Sequence, residues 1–386
     1  MRVILCEFGP DGGACLFRDP DELLVVERPD EVAPALARLE TRRRAGAWIA
    51  GYLSYELGYA LEPALAALMP AGRRVPLMVF GIYDHAPVPA PELLDGLANG
   101  AENGGGARLA PLAPLIHEAD YARAFARTCD YIAAGDCYQI NLTFPLRSRL
   151  VSGTPLDLYA ALAAHQPVGF GAFADLGQGP AILSRSPELF FRLDARGRIE
   201  ARPMKGTAPR DPDPVRDRAL AAGLAASEKN RAENLMIVDL LRNDIGRIAR
   251  VGSVRVPELF TVESYDTLHQ MTSHVVGELA RPADLATLLG SLFPCGSITG
   301  APKIRAMQII REVEPYPRGV YCGSIGWMAP DGAACFSVAI RTLTVWPDGE
   351  VMLNVGGGVV QDSTAPGEWE EALWKARYAQ ALTRPD

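Results

Sequence analysis

At 386 residues, 48% hydrophobic and 22% charged, the chain has the balance of an ordinary globular protein, with room for one large domain or two smaller ones. A net charge of −8 at pH 7 argues against a general nucleic-acid binder. No apolar run reaches the roughly 18 residues that a membrane span needs. Seven cysteines with no C-x-x-C pair fit a reduced chain, and "MRVILCEFGPDGG" is too short an apolar run for a secretory signal, so a cytoplasmic protein is expected.

In chain order, "AGAWIAGYLSYELG" (45–58) reads as a strand running into a turn. The stretch 85–114, loaded with Pro, Gly and Ala, reads as a long surface connection. Residues 1–110 are therefore expected to add strands to the same body, and 115–386 to form the main functional domain. A helix is expected from about 117 to Gly135, passing into the alternating strand "CYQINLTFPLRSRL".

Lys205, in "ARPMKGTAPR", sits where an apolar strand turns a corner. An exposed lysine there only adds solubility, whereas a partly buried one is easier to deprotonate and can attack a substrate. The stretch 223–250 predicts a helix ending near Gly246, in which Glu233 shares a stripe with Met236, Ile237, Leu240 and Leu241. A carboxylate in that row needs a partner, either one of the helix's own arginines or a cation.

"PCGSITGAPKIRAMQII" (294–310) runs from a small-residue loop into a helix N-terminus, a place that favours anions, but lacks the spacing of a P-loop. Two Pro-Asp-Gly turns, 330–332 and 347–349, separate three β-rich runs and predict an antiparallel meander. Arg341 interrupts the middle run, either as a solvent-facing edge residue or as a fork for a carboxylate. The glycines of "NVGGGVV" (354–360) let backbone N–H groups approach an anion, or make a bulge. A last helix, about 366–382, carries Glu368, Glu371 and Lys375 at offsets that allow a simple surface ion pair or a carboxylate pair for a hard divalent ion. Sheets and long helices without strict βαβ alternation indicate the α+β class.

Taken together, "SRSPELF" (184–190), "PMKGT" (203–207), "KNRAENLMIVDLLRNDIGR" (229–247), "GSITGAPK" (296–303), "GVYCGSIGW" (319–327), "AIRTL" (339–343) and "GGGVVQDS" (356–363) resemble the signature blocks of the chorismate-utilising enzymes. The resemblance covers 117–382 in order and extends more loosely through "GYLSYELGYALEP". It implies two α/β subdomains with large, mainly antiparallel sheets packed together, helices outside, and an active site between them.

Within that family, a lysine before the Gly-Thr of the 203–207 block marks the branch that aminates chorismate at C4 and keeps its enolpyruvyl group, while anthranilate synthases carry alanine there. Gln139 stands where the water-adding branch has its lysine base, and Gln270 aligns with a histidine tied to pyruvate elimination, although His269 lies next door. The resemblance implies Lys205 as nucleophile and Glu188 as general acid, with Mg²⁺ held by Glu233 and Glu371 and supported by Glu368. Substrate is held by Gly206, Thr207, Ser297, Thr299, Tyr321, Arg341, Gly357, Gly358 and Lys375. Asn230 replaces an acidic residue that several relatives carry three positions before the metal-binding glutamate.

The chain shows no glutaminase signal, so ammonia is expected from a separate amidotransferase subunit. No tryptophan-binding Leu-Leu-Glu-Ser stretch is found, "LCEFG" (5–9) being a poor substitute. The competing readings are an anthranilate synthase subunit on the same fold and, more remotely, a non-catalytic chorismate-binding subunit.

Overall fold

The computed structural model describes residues 2–93, 96, 106–265 and 268–383. Two sheets of eleven and ten strands form its centre, and every strand pair among the described residues is antiparallel. One core lies between the sheets, where Ile4, Phe17 and Ile182 of the first meet Ala50, Tyr52 and Ile325 of the second. A second core packs the outer face of the first sheet against the helices Glu118–Ala133, Pro155–His165 and Ala365–Trp374. The third packs the other sheet against Pro29–Arg44, Glu228–Gly246, Leu285–Leu292 and Lys303–Val313. The result is helix, sheet, sheet, helix, an α+β architecture in which each element buries one face.

The first 90 residues supply strands to both sheets: Val3–Cys6 and Cys15–Arg18 to one, Glu22–Val26, Trp48–Leu53 and Met78–Tyr83 to the other. Much of the 85–114 connection lies outside the described residues; its described parts include the short pairings Val88–Pro89 and Ala113–Pro114.

Three elements differ from their sequence reading. The expected meander is two hairpins in two different sheets: Ser324–Met328 pairs with Ala334–Val338 in one, Thr342–Val345 with Glu350–Val359 in the other. The run "FSVAIRTLTV" looked continuous because both halves are buried, but the chain crosses between sheets at Arg341, which adopts φ 50°. The 223–250 helix is broken at Ser227, whose hydroxyl accepts the Asn230 N–H and starts Glu228–Gly246, while 223–226 close the preceding helix Pro214–Ala226. Ala and Leu on both sides of the serine hid the break. The last helix likewise divides, into Ala365–Trp374 and Arg377–Gln380.

Candidate active site

The strand Met204–Pro209 pairs with Leu268–Glu278, and a register shift between Met204 and Thr207 lets the chain kink at Gly206. Gly206 has φ 84°, and a β-carbon there would sit 2.9 Å from the Asn230 side chain, so both conformation and space demand glycine. The kink sends Lys205 toward the glycine strand Glu350–Val359 of the opposite sheet. A methyl group on Gly358 would lie 2.9 Å from Lys205 Nζ and 2.8 Å from Gln139 Nε2. Lys205 is therefore an interior group at the join of the two sheets.

Lys205 is half-buried, and its ammonium, packed close to Gly358, forms no hydrogen bond or ion pair among the described residues. Desolvation lowers its pKa, with Lys375 reinforcing the shift and Glu233, Glu188 and Glu371 opposing it. Glu188, 4% exposed in the link between two strands, accepts a 2.6 Å hydrogen bond from Ser297 Oγ. Burial raises its pKa to about 7, against the Ser297 bond and the charges of Lys205 and Arg341. The site thus holds a lysine pushed toward neutrality and a carboxyl group that is still partly protonated near pH 7, the pairing needed for nucleophilic attack with protonation of a leaving group.

The glycine strand separates these groups from the helix Ala365–Trp374. At Gly357 a methyl group would lie 2.7 Å from Glu368 Oε2 and 3.8 Å from Glu371 Oε1, so the absent side chains bring carboxylates onto the backbone. Lys375 Nζ binds both Gly356 O (2.9 Å) and Glu371 Oε1 (2.8 Å). Burial raises the pKa of Glu368, with Ser363 opposing and Glu371 adding to the shift. For Glu371 burial is outweighed by Lys375, Lys205 and Lys229, and its pKa is lowered.

Glu233 is half-buried on Glu228–Gly246. The arginines of its own helix are engaged elsewhere: Arg242 pairs with Asp239 and Arg231 lies over Phe260. No group of three acidic, His or Cys side chains is close enough to hold a metal among the described residues. The oxygen donors nonetheless suit a hard cation bound by one or two carboxylates and completed by substrate and water. Glu371, whose carboxyl is held below its usual range, already carries a cationic partner in Lys375.

The remaining residues fall as follows. Ser297 lies in the short turn Gly296–Ile298, beside Glu188. Thr299 is fully buried and donates to Cys295 O, holding that turn. Thr207 donates to Gln270 Oε1 (3.2 Å) while Gln270 Nε2 donates to Gly206 O (2.7 Å), so Gln270 brackets the residues after Lys205. His269 points to the other face, bonded to Asp217 and Ser264, and the alternation of the strand settles which neighbour faces the lysine. Asn230 underlies Gly206 and donates to Ser227. Tyr321 is buried next to Cys322, a residue with φ 63°. Arg341, on the sheet crossover, has its pKa lowered by burial, with Tyr378 and Glu188 opposing. Glu7 of "LCEFG" is spent on a buried pair with Arg185 and a bond from the Tyr159 hydroxyl.

Sequence reading missed the support beneath Tyr321. Glu56 accepts the N–H groups of Arg318 and Gly319, and Arg318 binds Glu314 through two nitrogens and the carbonyls of Ile298 and Asn141. The available signal was a glutamate inside the apolar "GYLSYELGY".

Comparison with known proteins fits this geometry. Residues 18–381 match the chorismate binding enzyme family, and the chain belongs to it. Among curated relatives, it is 46% identical over 255 residues to aminodeoxychorismate synthase component 1 of Escherichia coli, covering 66% of this chain and 55% of that one. It is 41% identical over 342 residues to the protein of that name from Klebsiella aerogenes (84% and 74%), and 43% identical over 269 residues to anthranilate synthase component 1 of Streptomyces coelicolor (70% and 52%). The match thus spans little more than half the length of the Escherichia coli and Streptomyces relatives. Anthranilate synthase component I of Streptococcus pneumoniae superposes with a TM-score of 0.78 at 26% identity, covering 100% of this chain and 92% of that one. An isochorismate synthase from Bacillus anthracis shares the fold, with a TM-score of 0.76 at 19% identity and coverage of 98% and 95%.

Proposed function

We propose that the chain converts chorismate and ammonia to 4-amino-4-deoxychorismate, a precursor of para-aminobenzoate and folate. The observation that carries this reading is Lys205, whose amine is packed against Gly358 without a partner among the described residues, near Glu188, whose pKa burial raises to about 7. Lys205 attacks C2 while Glu188 gives its proton to the departing C4 hydroxyl, leaving a lysine-linked intermediate. Ammonia then adds at C4 and the bond to lysine breaks. Arg341, Tyr321 and the amides around Gly357 hold the enolpyruvyl carboxylate; Gly206, Thr207, Ser297, Thr299, Gly358 and Lys375 complete the cradle.

Glu233 and Glu371, with Glu368 in support, would hold Mg²⁺ through one or two direct carboxylate contacts completed by substrate and water, and the bound ion would offset the charge of the ring carboxylate. Ammonia would come from a glutaminase subunit, in keeping with relatives named as component 1 of a synthase. Gln270 supports retention of the enolpyruvyl group, because an amide held by Thr207 and Gly206 is no base.

The test is incubation of the purified chain with chorismate, Mg²⁺ and an ammonium salt, with products identified by mass spectrometry. Aminodeoxychorismate, together with a covalent adduct in the wild type that Lys205→Ala abolishes, is the expected result; anthranilate plus pyruvate overturns it. Glutamine-dependent turnover appearing only when a glutaminase is added tests the partner.

A further inference from the structure

We propose that ammonia reaches Lys205 along a buried polar row formed by Thr143, Asn141 and Gln139, entering at a surface cavity beside Thr143. The proposal rests on the amination reading above and assigns a route to its second substrate. The strand Gln139–Ser152 alternates sides, so these three residues share one face while Ile140, Leu142 and Phe144 fill cores on the other. All three are buried, at 0%, 6% and 7% exposure for Gln139, Asn141 and Thr143.

Buried polar groups are normally hydrogen-bonded, because leaving them bare costs about 1–3 kcal/mol each. Here they are not. Both polar atoms of the Gln139 amide are unpartnered among the described residues. Asn141 Nδ2 has only the Cys322 thiol at 3.9 Å. The Thr143 hydroxyl forms no hydrogen bond among the described residues. A file of such groups is solvated by something small that can donate and accept, as ammonia does.

The neighbouring strand leaves the row uncovered. Gly358 stands opposite Asn141 and Gly356 opposite Thr143, so no side chain from that strand intrudes. At its inner end the row reaches Gln139, which shares the space in front of Gly358 with Lys205 Nζ. At its outer end Thr143 and Asn354 line a cavity of about 420 Å³ whose wall also carries Asp120, Glu312 and Arg127.

The charges favour delivery of the neutral molecule. At the cavity Asp120 is paired with Arg123 and Glu312 with Arg127, so neither carboxylate is free to hold ammonium. Further in, the Arg318 guanidinium donates to the Asn141 carbonyl at 2.6 Å and is itself paired with Glu314, so the row offers a desolvated cation no free carboxylate. Ammonium therefore leaves its proton in the water of the cavity and passes inward as NH₃. At the adduct its lone pair forms the C4–N bond, the electron pair of the C2–N bond returns to Lys205, and one proton moves from the incoming nitrogen to the lysine amine.

The experiment is steady-state amination by the full chain with saturating chorismate and Mg²⁺ and varied ammonium chloride at fixed pH, comparing wild type with Thr143→Leu, Thr143→Val and Thr143→Ser. Leucine, which fills the row, should raise the ammonium KM at least ten-fold; valine, which keeps the shape but drops the hydroxyl, several-fold; serine should restore it. The chorismate KM should stay within two-fold throughout, an outcome that general damage to the site does not give. An ammonium KM within two-fold of wild type in both the leucine and valine variants overturns the route while leaving the amination reading intact. Absence of any amine product from the wild type overturns both.

Discussion

Two buried polar clusters lie a few residues apart and are built on opposite plans. Around Arg318, both oxygens of Glu56, both oxygens of Glu314 and all three guanidinium nitrogens are bonded. Around Lys205, neither the ammonium nor either polar atom of the Gln139 amide has a partner among the described residues. A saturated cluster fixes backbone, here the segment leading to Tyr321. An unsaturated one stores binding capacity for something that arrives later. Burial of charge alone does not distinguish structure from chemistry; the balance of donors and acceptors does.

The contrast is broken most directly by exchanging which property each cluster loses. Lys205→Ala should cut chorismate amination at least about 1000-fold while the melting temperature holds or rises, since a desolvated amine is removed; equal losses of activity and stability would place Lys205 in the structural class. Arg318→Met should act in reverse, destabilising the fold by about 3–5 kcal/mol in chemical denaturation because Glu314 is left buried without its cation. Gly358→Ala should lower kcat by about 100-fold through displacement of Lys205 Nζ, with little change in unfolding midpoint.

A smaller effect is expected with pH. Glu188 must be protonated to act as the acid, so the rate corrected for free NH₃ should fall as pH rises through about 7 in kcat/KM for chorismate. Ser297→Ala removes a bond that favours the carboxylate, and the limb should move to higher pH by less than about one unit. A shift to lower pH would show that Ser297 stabilises the acid form instead.

Much of this was legible in the sequence, and the failures are instructive. Lys205, Glu188, the glycine run and the two acidic helices stand in local patterns whose blocks are ordered along the chain, and the structure sets Lys205 against Gly358 and Glu371 near Gly357 of the same glycine run. The split of "FSVAIRTLTV" across two sheets was not legible, because strand periodicity is the same on either sheet and only tertiary context reveals the crossover. The break at Ser227 was hidden for a related reason: a serine between alanine-rich segments reads as helix interior until its hydroxyl is seen capping the next turn. The row Thr143, Asn141, Gln139 was visible as alternation, but its polar residues point inward, opposite to the usual expectation for a strand with one wet face.

The crossover at Arg341 also determines how the cleft is held. The short link 339–341, with Arg341 in a left-handed backbone conformation uncommon for a non-glycine side chain, ties the sheet bearing Lys205 to the sheet bearing Gly358, as does the link at 187–188 that carries Glu188. The two walls of the site are therefore stitched by a covalent seam at its floor, like the spine of a book. Their separation there is a built dimension, so substrates of different size are told apart by the side chains lining the gap rather than by how far it opens.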